Sequence, residues 1–483
     1  MMKNLLKIMI MGGALIASSC ADQLDVSPRQ SLTPATAFVD LAGYNGLALN
    51  MYGRTRNFSY YGQTMMIAPE VLADNVLVIA NTGRYIQEEV NADRAGINIW
   101  GTPTTYSAFG AINDANIILA GVDKATGTDE VLRNRIKGEA YFMRALHHFD
   151  LARVYGYEPG REVNGWNKST IIRTTPTLGF SDADLRARNT NVEVYTQVEA
   201  DLLQAISLLP TANLGSPNVY RASKAAAQAL LARVYLYWGR NDRAEALATE
   251  AMATAGLTND GTGLVTSANY VSSFNTFPNP ESLFEVEIRQ VDWSTVDGVN
   301  NSVSSLASNA TPGAQFILSA SIQLINSIEP GDIRLQTWTA TTRAGFNGPV
   351  YSSNKWRGAK GQYLENLPIL RASELYLIRA EARFKTGNFA GARADVNALR
   401  SKRNLAPVAT DLAGNDLFER ILQERRVEFA MEGHRFFDLK RNGLDIRKHR
   451  NLPSVPYADY RVLNNLPLGE LQLNDKLEQN PGY

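Results

Sequence analysis

Few residues in this chain are spaced for covalent chemistry. The four histidines are His147, His148, His434 and His449. None stands in an HExxH pattern, and the adjacent pair would project about a hundred degrees apart on a helix. No GxSxG elbow and no phosphate-binding P-loop occurs. Glycoside hydrolysis needs only two carboxylates at a set separation, which spacing along a chain does not test. The run Glu424-Arg-Arg-Val-Glu428 does put two carboxylates on one helix face at i,i+4, with arginines between them. An ion-pair network bracing that helix against a scaffold is the reading favoured over acid–base catalysis. The expectation is a non-enzyme, with no cofactor and no metal site.

The single cysteine, Cys20, cannot form an internal disulfide or, alone, a cysteine-based zinc site, so its position carries its information. Residues 1–20 read MMKNLLKIMIMGGALIASSC. Lys3 and Lys7 precede an apolar run that ends at Ile16, and the small residues Ala17, Ser18 and Ser19 follow. This is the layout of a bacterial secretory signal, too short for a comfortable membrane span of about 20 residues. Small residues directly before a cysteine resemble a lipobox, with Ala17 where leucine is usual. The resemblance implies cleavage before Cys20 and acylation of its thiol and new amino group, a firm anchor once several chains are attached. The polar, proline-bearing stretch after it reads as a tether. The expected organisation is a signal peptide at 1–19, a lipidated tether at 20–34, and one domain at 35–483.

The elements that must position any site are mostly helical. Apolar residues recur with helical period over 139–155, 191–209, 224–238 with 243–255, and 372–385 with 390–403. Two of these pairs align. Ala232 to Gly239 matches Ala380 to Gly387, and each glycine is followed five residues later by an alanine, Ala244 or Ala392. Small residues seven before a turn glycine and in the next helix let antiparallel helices approach closely, as in the tetratricopeptide repeat. A looser third copy ends at Gly156. Such pairs cannot each bury a full core, so they stack. The fold class expected is mainly all-α, a tetratricopeptide-like superhelical scaffold with a loop-rich irregular part. That irregular insert spans about 256–366 and is rich in Ser, Asn, Thr, Gly and Pro, with a strand hinted at 281–289. A second loop-like, aromatic region is expected from Tyr52 to Trp100. Lys plus Arg and Asp plus Glu both number 48, which gives no support to nucleic-acid binding.

The chain as a whole resembles the SusD/RagB family of nutrient-binding outer-membrane lipoproteins of Bacteroidetes. The likeness is carried by the signal with Cys20, the start LDVSPRQSLTPATAF, and the helices GEAYFMRALHHFDLARVYG, SKAAAQALLARVYLYWGR and RASELYLIRAEARFKTGN. It continues through ILQERRVEFAMEGHRFFDLKRNG to the terminus QNPGY. The resemblance implies a cell-surface protein seated over a TonB-dependent, SusC-like outer-membrane transporter. There it acts as a hinged lid that captures glycans, or peptides in some members, without catalysis. A helical-repeat scaffold that binds only protein partners is the remaining alternative.

Glycans are held by aromatic rings stacked on pyranose faces and by planar polar groups that meet hydroxyls. Three of the six tryptophans, Trp293, Trp338 and Trp356, lie in the irregular part beside such groups, Arg334 among them. The early region offers Asp74, Asn75, Arg84, Tyr85, Asn98 and Trp100. The competing role for each aromatic is core packing. The family places its ligand between an early loop region and the later irregular part, so the two sets are expected to converge.

Overall fold

The computed structural model describes residues 38–91, 99–212, 214–292, 301–450 and 452–483. The signal, Cys20 and the tether lie outside them, as do Asn98 and Trp293. Helices dominate: α1 (Leu41–Thr55), α2 (Thr64–Val71), α3 (Thr102–Gly121), α4 (Glu130–Tyr155), α5 (Asn191–Leu208), α6 (Lys224–Trp238) and α7 (Asn241–Thr254) precede the irregular part. After it come α8 (Ala372–Lys385), α9 (Phe389–Ser401), α10 (Gly414–Glu428) and α11 (Arg435–Arg441). Helices α3 to α9 each pack on the next, α1 packs on α3, and α10 lies against α8 and α9. This is the tetratricopeptide-like stack expected from the repeats.

The two aligned hairpins have one construction. Gly239 and Gly387 adopt φ of +74° and +84°, a left-handed turn that costs glycine nothing. The following amides, of Arg240 and Asn388, then donate to Tyr235 and Arg383 carbonyls five residues back, at 2.9 and 2.8 Å. Ala232, Ala244, Ala380 and Ala392 are all fully buried where the helices touch. Local caps set the starts: the Thr190 side chain accepts from the Glu193 amide while Glu193 reaches back, and α5 ends just before Pro210. The third copy differs. Gly156 ends α4 in extended backbone, and a side chain there would collide with Ser169.

Three two-stranded antiparallel ladders lie among the described residues: β1 (Val76–Val78) with β3 (Leu318–Ala320), β2 (Ser282–Val286) with β6 (Leu367–Arg371), and β4 (Trp338–Thr341) with β5 (Val350–Ser353). The first pins the early region to the irregular part, Leu77 opposite Ser319. The early region is less loop-like than its sequence suggests. All eight residues of α2 are buried, so TMMIAPEV coils because every side is covered, and Pro69 is carried inside it. No helix among the described residues is long and apolar enough to cross a membrane.

The C-terminal helices are clamped by buried charge. Glu428 at the end of α10 meets Arg371 at 3.1 Å, Arg403 at 2.9 Å and Arg334 at 3.5 Å. Glu424 meets Arg334 and Arg400, at 2.7 and 2.6 Å. The i,i+4 carboxylates thus brace the scaffold. Burial alone would raise such carboxyls, but here the guanidiniums outweigh it. Arg403 and Arg371 hold Glu428, and Arg441 holds Glu381, well below the usual range, while Arg233 brings Glu374 to about 2. A carboxyl lowered on folding adds stability above its unfolded value, near 4.5, and loses it as pH falls through the folded value. The urea midpoint is therefore expected to fall steeply below about pH 4.5. A midpoint unchanged between about pH 5 and pH 3 would contradict this accounting.

Candidate functional site

Most of the sequence-expected ligand residues have structural work. Asp74, at the end of the turn after α2, takes both nitrogens of Arg435 at 2.7 and 3.1 Å. Burial pushes its carboxyl up, but Arg435 and Arg426 outweigh that and hold it low. Asn75 donates to Glu70 and accepts from Arg426, both at 2.8 Å. Arg334 is locked by Asp332 and Glu424 inside the buried cluster. Trp356 is 1% exposed and its indole nitrogen donates to the Met431 carbonyl at 3.0 Å. Trp338, 8% exposed, opens β4 opposite Ser353. In this conformation these five side chains hold the fold together, and the two late indoles present no face for a sugar. Trp100 is also buried, packed on Phe436 and Phe437, and it borders a cavity of only ≈ 60 Å³ beside Asn464 and Asn465.

Arg84 and Tyr85 are different. The half-buried Arg84 guanidinium donates to the side-chain oxygens of Asn301 and Gln315. Gln63 donates to the Asn301 carbonyl at 2.5 Å, and the Tyr85 hydroxyl donates to Gln63 at 2.7 Å. Early and late segments therefore meet through a chain of planar polar groups. The two sets named from the sequence are not what meets here: Arg84 is joined by Asn301 and Gln315, which belong to neither, and Trp338 and Trp356 lie elsewhere.

The backbone at this junction is held in a costly shape. Tyr85 has φ of +62° and Phe316 has φ of +41°, so left-handed residues follow both Arg84 and its partner Gln315. Non-glycine residues in this region cost on the order of 1 kcal/mol each and concentrate at binding sites. Beneath them Leu77, Ile79, Phe316 and Val350 form a small apolar base, with Phe346 packed against it. Arg343 crosses this base, donating to the Phe316 carbonyl and lying 5.7 Å from the Phe316 ring. The arrangement can supply guanidinium and amide donors beside a ring, the chemistry that hydroxyl-rich ligands require. Sequence reading missed Gln63, Asn301, Gln315 and Arg343; the only signal was the polarity of the irregular part.

Burial lowers His147 and His434 as well as His148. All four lie inside, and burial pushes His148 down to about 3. Among the described residues no group of three His, Cys, Asp or Glu side chains is placed to hold a metal.

Comparison with known proteins places this architecture. Residues 24–236 match the family described as "Starch-binding associating with outer membrane", and residues 336–483 match the "SusD family". Over 546 aligned positions the chain is 24% identical to the SusD-like protein P25 of Formosa agariphila, covering 96% of this chain and 97% of that one. Over 125 positions it is 30% identical to the starch-binding protein SusD of Bacteroides thetaiotaomicron, 24% of this chain and 22% of that one. A solved SusD superfamily protein from Bacteroides thetaiotaomicron superposes with a TM-score of 0.80 at 26% identity, over 92% of this chain and all of the other.

Proposed function

The chain belongs to the SusD/RagB family, and from that premise we propose that it captures an oligosaccharide at the cell surface and delivers it to a TonB-dependent transporter. Acylation of Cys20 would tether it, and the protein would bind without turning its ligand over. The observation that carries the reading is the Arg84 junction, where guanidinium and amides of early and late segments meet over an apolar base.

The test is titration of the mature protein with a panel of neutral oligosaccharides, wild type against Arg84→Ala. A charged donor to a ligand hydroxyl contributes about 1.5–3 kcal/mol, so the variant is expected to bind roughly ten- to a hundredfold more weakly. Its thermal midpoint should change little, because Arg84 is half-buried and joins surface segments. Unchanged glycan binding in the variant would remove the site. Wild-type affinity for peptides alone would move the ligand class, and no small-ligand affinity at all would leave a protein-docking scaffold. Hydrolysis of any panel member would overturn the non-enzyme reading.

A further inference from the structure

A cavity of ≈ 500 Å³, within the range of ligand pockets of about 300–1,000 Å³, lies apart from the Arg84 junction and shares no residue with it. Its walls come from the C-terminal end of α1, the first half of α3, the loop between α4 and α5, and the short helix Leu468–Leu473. Three of its apolar side chains stand in solvent: Tyr106, Phe180 and Leu473 are 72%, 77% and 75% exposed. Apolar surface gathered at one concavity and left uncovered is the mark of a binding site. The buried indoles of Trp338 and Trp356 offer a ligand no ring face, whereas Tyr106 and Phe180 do. The loop that carries Phe180 is already fixed to its neighbours. Asn113 on α3 accepts from the Thr177 amide at 2.7 Å and donates to the Thr177 carbonyl at 3.0 Å, and Arg173 donates to the Asp184 carbonyl at 2.7 Å. Asn474, just after the short helix, donates to the Arg186 carbonyl at 2.9 Å and so ties that helix to the same loop.

The charged groups of this wall select against ions. Arg173 faces Asp184 at 3.7 Å, Arg54 donates from Nε to Asp114 at 2.7 Å, and Glu470 lines the same cavity. Two guanidiniums repel a cation, and the three carboxylates around them leave no positive excess to hold an acid. The Arg54 guanidinium lies over Gly110, where a side chain would come within 2.7 Å of Nη1. Among the described residues the other two nitrogens of Arg54 and the Glu470 carboxylate hold no hydrogen bond, so the cavity offers open donors and an open acceptor. We propose that this cavity binds a neutral glycan chain, with apolar ring faces on Tyr106 and Phe180 and hydroxyls toward Arg54 and Glu470. A hydroxyl both donates and accepts, so one chain serves both groups. An apolar peptide side chain seeks an enclosed slot, and the rings here present open faces. The proposal takes its ligand class from the glycan-capture reading but stands on separate residues.

The experiment titrates wild type, Tyr106→Ala, Phe180→Ala, Phe180→Trp and Arg84→Ala with maltohexaose, laminarihexaose, xylohexaose, mannohexaose and, as a peptide probe, trileucine amide. Covering one face of a ring removes about half the area that full burial would, so each alanine variant should bind the preferred saccharide about three- to tenfold more weakly. Phe180→Trp should bind it at least as tightly as wild type, because the larger ring restores the platform. Both rings are largely exposed, so urea midpoints of these variants should match wild type and report that they are folded. Partial loss in the alanine variants and in Arg84→Ala alike supports two sites on one protein. Loss in the alanine variants with Arg84→Ala binding as wild type supports this cavity and removes the junction. Loss in Arg84→Ala alone, with the alanine variants binding as wild type, overturns the present proposal and leaves the junction standing. Failure of Phe180→Trp to bind better than Phe180→Ala also overturns it. If no saccharide binds, both sites fall as glycan sites. If trileucine amide binds instead and is lost in the alanine variants, the cavity takes peptide and the proposed ligand class is wrong.

Discussion

Replacing Glu428 by alanine is expected to cost about 3–5 kcal/mol of stability, the range seen when a buried ion pair loses one member. Arg334, Arg371, Arg403, Arg400 and Lys355 form a contiguous buried set with Asp332, Glu281, Glu424, Glu428 and Glu432, five cations to five carboxylates. Glu428 is fully buried and is shared by three of the arginines. Its removal leaves one unbalanced positive charge where water cannot reach it. Folded domains are stable by only about 5–15 kcal/mol, so the loss is a large fraction of the total. Urea unfolding of the mature protein measures it, with Glu428→Gln expected to recover little because the amide restores shape but not charge. The companion variant Arg403→Met/Glu428→Met removes one charge of each sign. It should be less destabilised than the two single changes summed, since neutral replacement of a buried pair is often tolerated. A loss below about 1 kcal/mol for Glu428→Ala would mean that the remaining carboxylates redistribute to cover the arginines.

The same cluster explains what could be read from the sequence and what could not. Glu424 and Glu428 are four residues apart on one helix, so their shared face was legible, and so was a bracing role. Ala232, Gly239 and Ala244 were legible for the same reason: helix pairing and turn closure depend on residues within a dozen positions. Asp74 and Trp356 were misread because their partners are remote. Asp74 is neutralised by Arg435, and Trp356 is capped by the carbonyl of Met431, across 361 and 75 positions respectively. A tryptophan among polar loop residues looks the same in sequence whether its segment faces solvent or folds back on α10. The long-range approach of Asn301 and Gln315 to Arg84 had no periodic signal, because amides in irregular chain carry none. Only the general expectation that early and late segments meet was available, and it came from family likeness.

Replacing Glu365 by glutamine is expected to stabilise the protein at neutral and mildly alkaline pH. Glu365 lies just before β6 with 4% of its surface exposed, and burial pushes its carboxyl up to about 8. The amide of Gly358 donates to it at 3.2 Å, and Ser304 and the Arg357 amide also draw it down, together too little to offset the desolvation. A carboxyl raised on folding contributes stability that is full below its unfolded value, near 4.5, and is lost as pH climbs toward 8. At pH 7 the group has already paid for holding a proton that the unfolded chain has released. That cost is about 3 kcal/mol by linkage, at 1.36 kcal/mol per unit between the unfolded value and pH 7. Glutamine keeps an oxygen for the Gly358 amide and does not titrate, but its NH2 group takes the place of Oε1, which is buried with no hydrogen-bond partner, so part of the gain is lost to that unsatisfied donor. The gain should therefore be near its full size at about pH 8 and vanish at about pH 4.5. Urea midpoints of the two proteins across that range give the test, and its shape is opposite to the acid loss driven by Glu428, Glu381 and Glu374. Parallel curves for wild type and Glu365→Gln would show that the carboxyl is charged in the fold, its hydrogen-bond donors outweighing burial.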